Sequence, residues 1–179
     1  RCSSLAVVTI PDSVTKIGAH AFERCSSLAA VTIPDSVTAI GIHAFGACSS
    51  LAAITIPDSV TAIGVSAFYG CTSLADVTIG NSVTTIKAGT FYGCSSLATV
   101  TIPNSVTTIG KSVFEGCSSL TTVIVPDTLV DTDINRLSTP PTTNVIRWTA
   151  SDYRRAGGWR SLRRWARLVG WLALRLRNA

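Results

Sequence analysis

The chain is 179 residues long and has a formal net charge of +5, with 15 Lys and Arg against 10 Asp and Glu. This length fits one elongated domain with a tail and leaves little room for a second domain. The charge is unevenly distributed, because residues 1–135 hold 5 basic and 9 acidic side chains whereas residues 136–179 hold 10 and 1. The net charges of −4 and +9 indicate a mildly acidic domain and a basic segment with its own partner.

A 23-residue period runs through most of the chain. The cysteines that mark it are Cys2, Cys25, Cys48, Cys71, Cys94 and Cys117. Leucines keep the same step from Leu5 to Leu120, as do phenylalanines from Phe22 to Phe114. A fixed period without insertions is typical of repeat architectures, in which each unit buries its apolar face against its neighbours.

Residues 25–47 show the local structure that the sequence predicts for one repeat. Val31 and Ile33 point into a core while the residues between them face water, as in a half-buried strand. Pro34 has no N–H to donate, so the strand should end there. Residues 37–40 form a second short extended piece. Residues 44–48 then place an alanine, a phenylalanine and a cysteine on one face of a single helical turn.

The pattern Leu28-x-x-Val31-x-Ile33, the following proline and the segment over residues 63–71 (IGVSAFYGC) resemble the BspA-like leucine-rich repeats over residues 1–135. The resemblance implies an α/β repeat solenoid, a right-handed superhelix with short parallel strands on two sides and a short helical turn per coil. For surface-exposed members it also implies adhesion to a host or matrix. Other members are intracellular, so the cell surface, secretion and the cytoplasm all stay open.

The outward positions of the first strands form the candidate partner-binding face. Its residues are Thr9, Thr32, Thr55, Asp76, Thr78, Thr99, Thr101 and Thr122. Threonine also suits a β-surface through propensity alone, and this face lacks the aromatic and arginine residues that dominate most interfaces. We interpret it as the platform of a scaffold that binds a protein, or a glycan at a cell surface.

One cysteine per coil, at the same place in each coil, predicts a column of buried free thiols. Parallel side chains would not meet in the geometry of a disulfide, and no close cysteine pair suggests zinc. His20 and His43 hold equivalent places in adjacent coils. Two such ligands without a nearby acid or third histidine make a poor metal site, so we interpret them as surface histidines and expect no metal or cofactor.

Catalysis is not expected. The serines repeat with the coils, and no phosphate-binding loop, dinucleotide fingerprint or H-E-x-x-H motif occurs. The absence of Met and the opening on Arg1-Cys2 suggest a monomeric fragment of a longer chain.

Residues 136–150 are predicted to be an atypical terminal coil, with a last strand over residues 144–148 and Trp148 covering the end of the stack. The 23-residue step places the inward positions of a further strand there, and terminal repeats are commonly atypical.

Residues 151–179 are predicted to form a basic amphipathic helix. Its candidate partner-binding residues are Trp159, Arg160, Arg163, Arg164, Trp165, Arg167 and Trp171. The helix has three interpretations: a cap on the last coil, an arm on an anionic membrane, or a ligand for an acidic protein or, less favoured, nucleic acid. Its apolar run 168–174 is too short to cross a bilayer. The alternative function is therefore a membrane-associated module anchored by this helix.

Overall fold

In a computed structural model, which describes residue 2 and residues 4–149, the chain forms a parallel β-solenoid of about six turns. Each of the first five coils contributes a first and a second strand, and two more first strands follow. The first strands are β1 (Val7–Thr9), β3 (Ala30–Thr32), β5 (Ala53–Thr55), β7 (Asp76–Thr78), β9 (Thr99–Thr101), β11 (Thr122–Pro126) and β12 (Asn144–Trp148). The second strands are β2 (Lys16–Ile17), β4 (Ala39–Ile40), β6 (Ala62–Ile63), β8 (Thr85–Ile86) and β10 (Thr108–Ile109).

The strand register repeats the period of the sequence. Val7 is paired with Ala30 between β1 and β3, and Ala39 with Ala62 between β4 and β6. Residues one period apart therefore lie directly above one another. This stacking explains why each inward position repeats the same apolar residue type, since each side chain packs against its own copies in the adjacent coils.

The core is a set of such columns. Neighbouring phenylalanine rings from Phe22 to Phe114 are stacked with centroids 5.2 to 5.8 Å apart. The cysteines from Cys25 to Cys117 are buried and free, as the sequence predicts, whereas Cys2 is exposed. The thiol of Cys71 donates a hydrogen bond to the carbonyl of Phe45 at 3.1 Å. The thiols of Cys48, Cys94 and Cys117 make the equivalent bond at 3.1–3.2 Å, so these four thiols both fill space and satisfy a carbonyl of the preceding coil.

The third side of each coil is not helical, so the predicted helical turn per coil is wrong. The N–H groups of His20 and Arg24 donate to carbonyls of the next coil, at 2.8 and 2.7 Å. Glu23 lies between them and donates instead within its own coil, to His20 three residues back at 3.2 Å. His20 and Arg24 have φ values of 59° and 60°, which a right-handed helix excludes. The third side is therefore a run of turns that also joins neighbouring coils.

The last coil departs from the repeat. The strand predicted over residues 144–148 is present as β12, which pairs in parallel with β11. An unpredicted helix, α1 (Asp131–Arg136), replaces the second strand. At position 132 an exposed threonine stands in place of the buried isoleucine of earlier coils, so this coil lacks the apolar residue that anchors a second strand to the core. Leu137 then returns to the phenylalanine column, fully buried.

The amphipathic helix predicted for residues 151–179 lies outside the described residues. Among residue 2 and residues 4–149, no helix is both long enough and apolar enough to span a bilayer.

Candidate functional site

The predicted threonine face is present on the first strands, with exposure that falls along the stack. Thr9, Thr32, Thr55 and Asp76 are exposed, whereas Thr78, Thr99 and Thr101 are half-buried. Thr122 is 5% exposed, between its register partners Thr99 and Asn144, so it is not available to a partner. The accessible part of the face is therefore in the earlier coils.

A groove of about 660 Å³ lies where this face meets the turns that follow the strands. Its strand side includes Thr55, Thr78 and Thr101, which follow one another in successive coils. Its turn side includes Asp58 and Asn81, which are one period apart. The Asn81 N–H donates to Asp58 Oδ1 at 2.7 Å, so this carboxylate also connects two coils.

The groove has both polar and apolar lining, including Ile56 and Ile79, and its charged groups are carboxylates. The carboxylates of Asp35 and Asp58 line it, and both residues are exposed. Asp76 adds a third exposed carboxylate on the strand face, in register with Ala53. Hydroxyl and carboxylate groups in an open groove suit a polar or cationic segment better than an apolar ligand.

Sequence reasoning identified the threonines but missed the groove. The signal was available, because Asp12, Asp35 and Asp58 repeat at the turn after the proline. The same 23-residue step that aligns the threonines brings these carboxylates into one column beside them.

A second polar cluster lies on the third side of the first three coils. His20 Nδ1 and Glu23 Oε2 are 2.8 Å apart, and His43 Nδ1 lies 3.6 Å from Glu23 Oε1. The Tyr69 hydroxyl donates to Glu23 Oε1 at 2.9 Å. The expectation that the histidines have no nearby acid is therefore wrong.

The same contacts stabilise the charged form of Glu23. Hydrogen bonds from His20 and then from Tyr69 hold the pKa of its carboxyl below the ordinary value. Burial first, and then the bond to Glu23, raises the pKa of the Tyr69 hydroxyl. The cluster therefore combines a carboxylate with two imidazoles and a neutral phenol.

The seven candidate residues of the basic tail, from Trp159 to Trp171, lie outside the described residues. Of the two predicted binding surfaces, the threonine face and the basic tail, the structure therefore describes only the threonine face.

The comparisons with known proteins agree on the repeat. Residues 1–121 match the model of the BspA type leucine rich repeat region, in 6 copies. A leucine-rich-repeat protein of T. pallidum has a solved structure that is 31% identical, with a TM-score of 0.66, over 81% of this chain and 73% of that one.

Two further solved structures are similar with lower TM-scores. A leucine-rich-repeat protein of Bacteroides capillosus is 31% identical over 66% of this chain and 75% of its own, with a TM-score of 0.47. A leucine rich cell surface protein of Faecalibacterium prausnitzii is 24% identical over 86% and 62%, with a TM-score of 0.48. No curated protein matches the chain significantly.

Proposed function

Because this chain belongs to the BspA-type leucine-rich-repeat family, we propose that it is a non-enzymatic scaffold that binds a protein partner through its strand face and the adjoining groove. Proteins with this repeat generally bind other proteins, and the fold is typically non-enzymatic. Family membership gives the class of function. The groove beside the threonines supports the proposed surface and the proposed chemistry of the partner.

The single observation that supports this surface best is the groove of about 660 Å³ between the threonines and the aspartates. An extended segment lying along the stack would meet a new coil about every 4.8 Å. Its polar groups would meet the hydroxyls of Thr55 and Thr78. A lysine or arginine side chain would meet the carboxylate of Asp35 or Asp58. We therefore infer that the partner presents an extended, polar and basic segment.

The test uses two pools of fluorescent decapeptides that share serine, threonine and glycine and differ only in carrying lysine or glutamate. We expect fluorescence anisotropy to show binding of the lysine pool to the full chain, weakened by added salt as charges are screened. Asp58→Asn should weaken this binding about two- to fivefold, the value of one partly exposed charge pair.

Asp12→Asn is the matched control for Asp58→Asn. Asp12 holds the same turn position in the first coil but is not part of the groove. It should leave the affinity for the lysine pool unchanged. Failure of the lysine pool to bind, or an equal loss of affinity with both variants, would contradict the proposed surface.

A further inference from the structure

The polar cluster on the third side carries an inference of another kind. From its geometry we propose that His20, Glu23 and His43 form a binding site for a divalent transition-metal ion, with Zn²⁺ as the best match. This inference does not depend on the groove or on the partner proposed above, because the two sites share no residue.

The three side chains offer ligand atoms that zinc prefers, at separations close to those of a zinc site. One ligand atom from each residue lies within 4.8 Å of the other two. Tetrahedral zinc with bonds of about 2.0–2.1 Å separates its ligand atoms by about 3.3 Å, so contraction of the widest pair by up to about 1.5 Å completes the site. Two imidazoles and one carboxylate leave a fourth position for water, as in open zinc sites.

The buried nitrogen of His43 is an independent observation that points to a ligand. His43 Nδ1 is buried in the structure and has no hydrogen-bond partner. Its distance of 3.6 Å from Glu23 Oε1 is too long for a hydrogen bond. A buried polar atom without a partner costs stability. A metal ion between His43 and Glu23 would use the lone pair of this nitrogen.

An ion can reach the cluster from solvent. The side chain of His20 is 55% exposed and that of His43 is 31% exposed, so the site lies at the surface of the stack. The two rings have centroids 5.1 Å apart and are tilted by 30°. This arrangement allows both rings to face one ion with small rotations.

The third coil supports the carboxylate of Glu23. Tyr69 reaches across the intervening coil to donate to Glu23 Oε1, and its ring contacts His43 at a centroid distance of 4.9 Å. It can do so because residue 46 is glycine, where an added Cβ would lie 2.2 Å from the Tyr69 ring. A second hydrogen bond of this kind orients a metal-binding carboxylate.

The repeat itself shows that the combination is specific to these coils. The positions equivalent to His20 and His43 in the later coils hold Ser66, Gly89 and Ser112, all with positive φ. Small residues therefore suffice for the turn. The position of Glu23 returns to glutamate at Glu115, but without a histidine beside it.

The ligand set favours one class of metal. Imidazole suits zinc, copper and nickel. Calcium requires six to eight oxygen ligands, and this cluster has one carboxylate and a phenol already engaged with it. The positive charge of Arg24, which acts to lower the pKa of the Tyr69 hydroxyl, opposes any bound cation, so the imidazole lone pairs must supply the binding.

The test is a calorimetric titration of Zn²⁺ into the untagged full chain, which measures the affinity and the number of bound ions. The background carries Cys2→Ser, because Cys2 is an exposed thiol that could bind zinc by itself. We expect one bound ion per chain. His20→Ser and His43→Ser should each weaken binding at least about tenfold, since each removes a ligand. Serine already occupies this position with positive φ at Ser66 and Ser112, so both variants should fold.

Two variants separate a metal site from a merely structural cluster. Tyr69→Phe removes the hydrogen bond to Glu23 and should weaken zinc binding about tenfold while the circular dichroism spectrum stays unchanged. Glu115→Gln, the equivalent position without histidines, should have no effect. The chain has only two histidines, so zinc should shift the imidazole nitrogen resonances of both in an NMR spectrum. No zinc binding, or binding unaffected by either histidine variant, would overturn the proposal.

Discussion

The middle coils and the end coils share one 23-residue step but differ in what surrounds each residue. In the middle, Phe68 is fully buried between stacked rings, and the first strands have three residues. At the ends, Phe22 is half-buried, and β11 runs for five residues through Pro126. The same residue type is therefore core in one coil and partly surface in another. In a solenoid, the neighbouring coils determine burial as much as the sequence of the coil itself.

The largest expected effect comes from the phenylalanine column. Phe68→Ala removes a fully buried ring between two stacked rings and should lower the free energy of unfolding by about 3–5 kcal/mol. Phe22→Ala, in the same column at the end of the stack, should cost less, about 1–2 kcal/mol, because this ring is only half-buried. Urea denaturation followed by circular dichroism measures both. An equal or larger loss for Phe22→Ala would break the contrast between middle and end.

A smaller effect should come from the glycines at the start of the third side. A Cβ at Gly64 would lie 2.4 Å from the backbone of Gly41, whereas a Cβ at Gly18 in the first coil would have no atom within 4 Å. Lys87 stands at the equivalent position of a later coil, so the backbone can adjust. We expect Gly64→Ala to cost about 1–2 kcal/mol and Gly18→Ala to be neutral in the same urea assay. Equal effects would show that the coils yield to the added methyl group.

The most gradual effect is a loss of stability at alkaline pH. Burial raises the pKa of the Cys48 thiol from the ordinary 9.0 to about 12, and it also raises the pKa of Cys71. Above pH 9 the unfolded chain therefore loses protons that the folded chain retains, so stability should fall as pH rises towards 12. The urea midpoint measured from pH 8 to pH 10 should decrease.

Two variants sharpen this pH dependence. Cys48→Ala should flatten the decrease of the urea midpoint above pH 9, because one buried thiol no longer titrates on unfolding. Cys2→Ser should leave the slope unchanged, since Cys2 is exposed in the folded chain. A slope that is the same in both variants and in the original chain would exclude the buried thiols as its source.

The strands and the core columns could be predicted because the period places like residues above like residues. The third side could not, because the residues with positive φ there include Arg24 and Ala47, which carry no turn signal. Helix α1 was missed for a similar reason. It has six residues, and no side chain caps its N-terminus at Val130.

The candidate sites divide in the same way. The threonine face follows from strand alternation within one coil, so the sequence predicts it directly. The cluster around Glu23 depends on a contact between residues 46 positions apart, made through the space that Gly46 leaves for Tyr69. Glu23 and Tyr69 hold the same repeat position two coils apart with Gly46 between them, so a search for columns of one residue type passes over the pair.

The backbone hydrogen bonds between coils also determine how the molecule responds to force. They join the coils on all three sides and run along the stack, as between Phe22 and Ala44 at 2.7 Å. A pull on the two ends therefore stretches these bonds in series, and coils should detach one at a time from an end. Each detached coil releases 23 residues, or roughly 80 Å of extended chain. Under force, the solenoid should therefore lengthen in steps of nearly equal size, one for each coil.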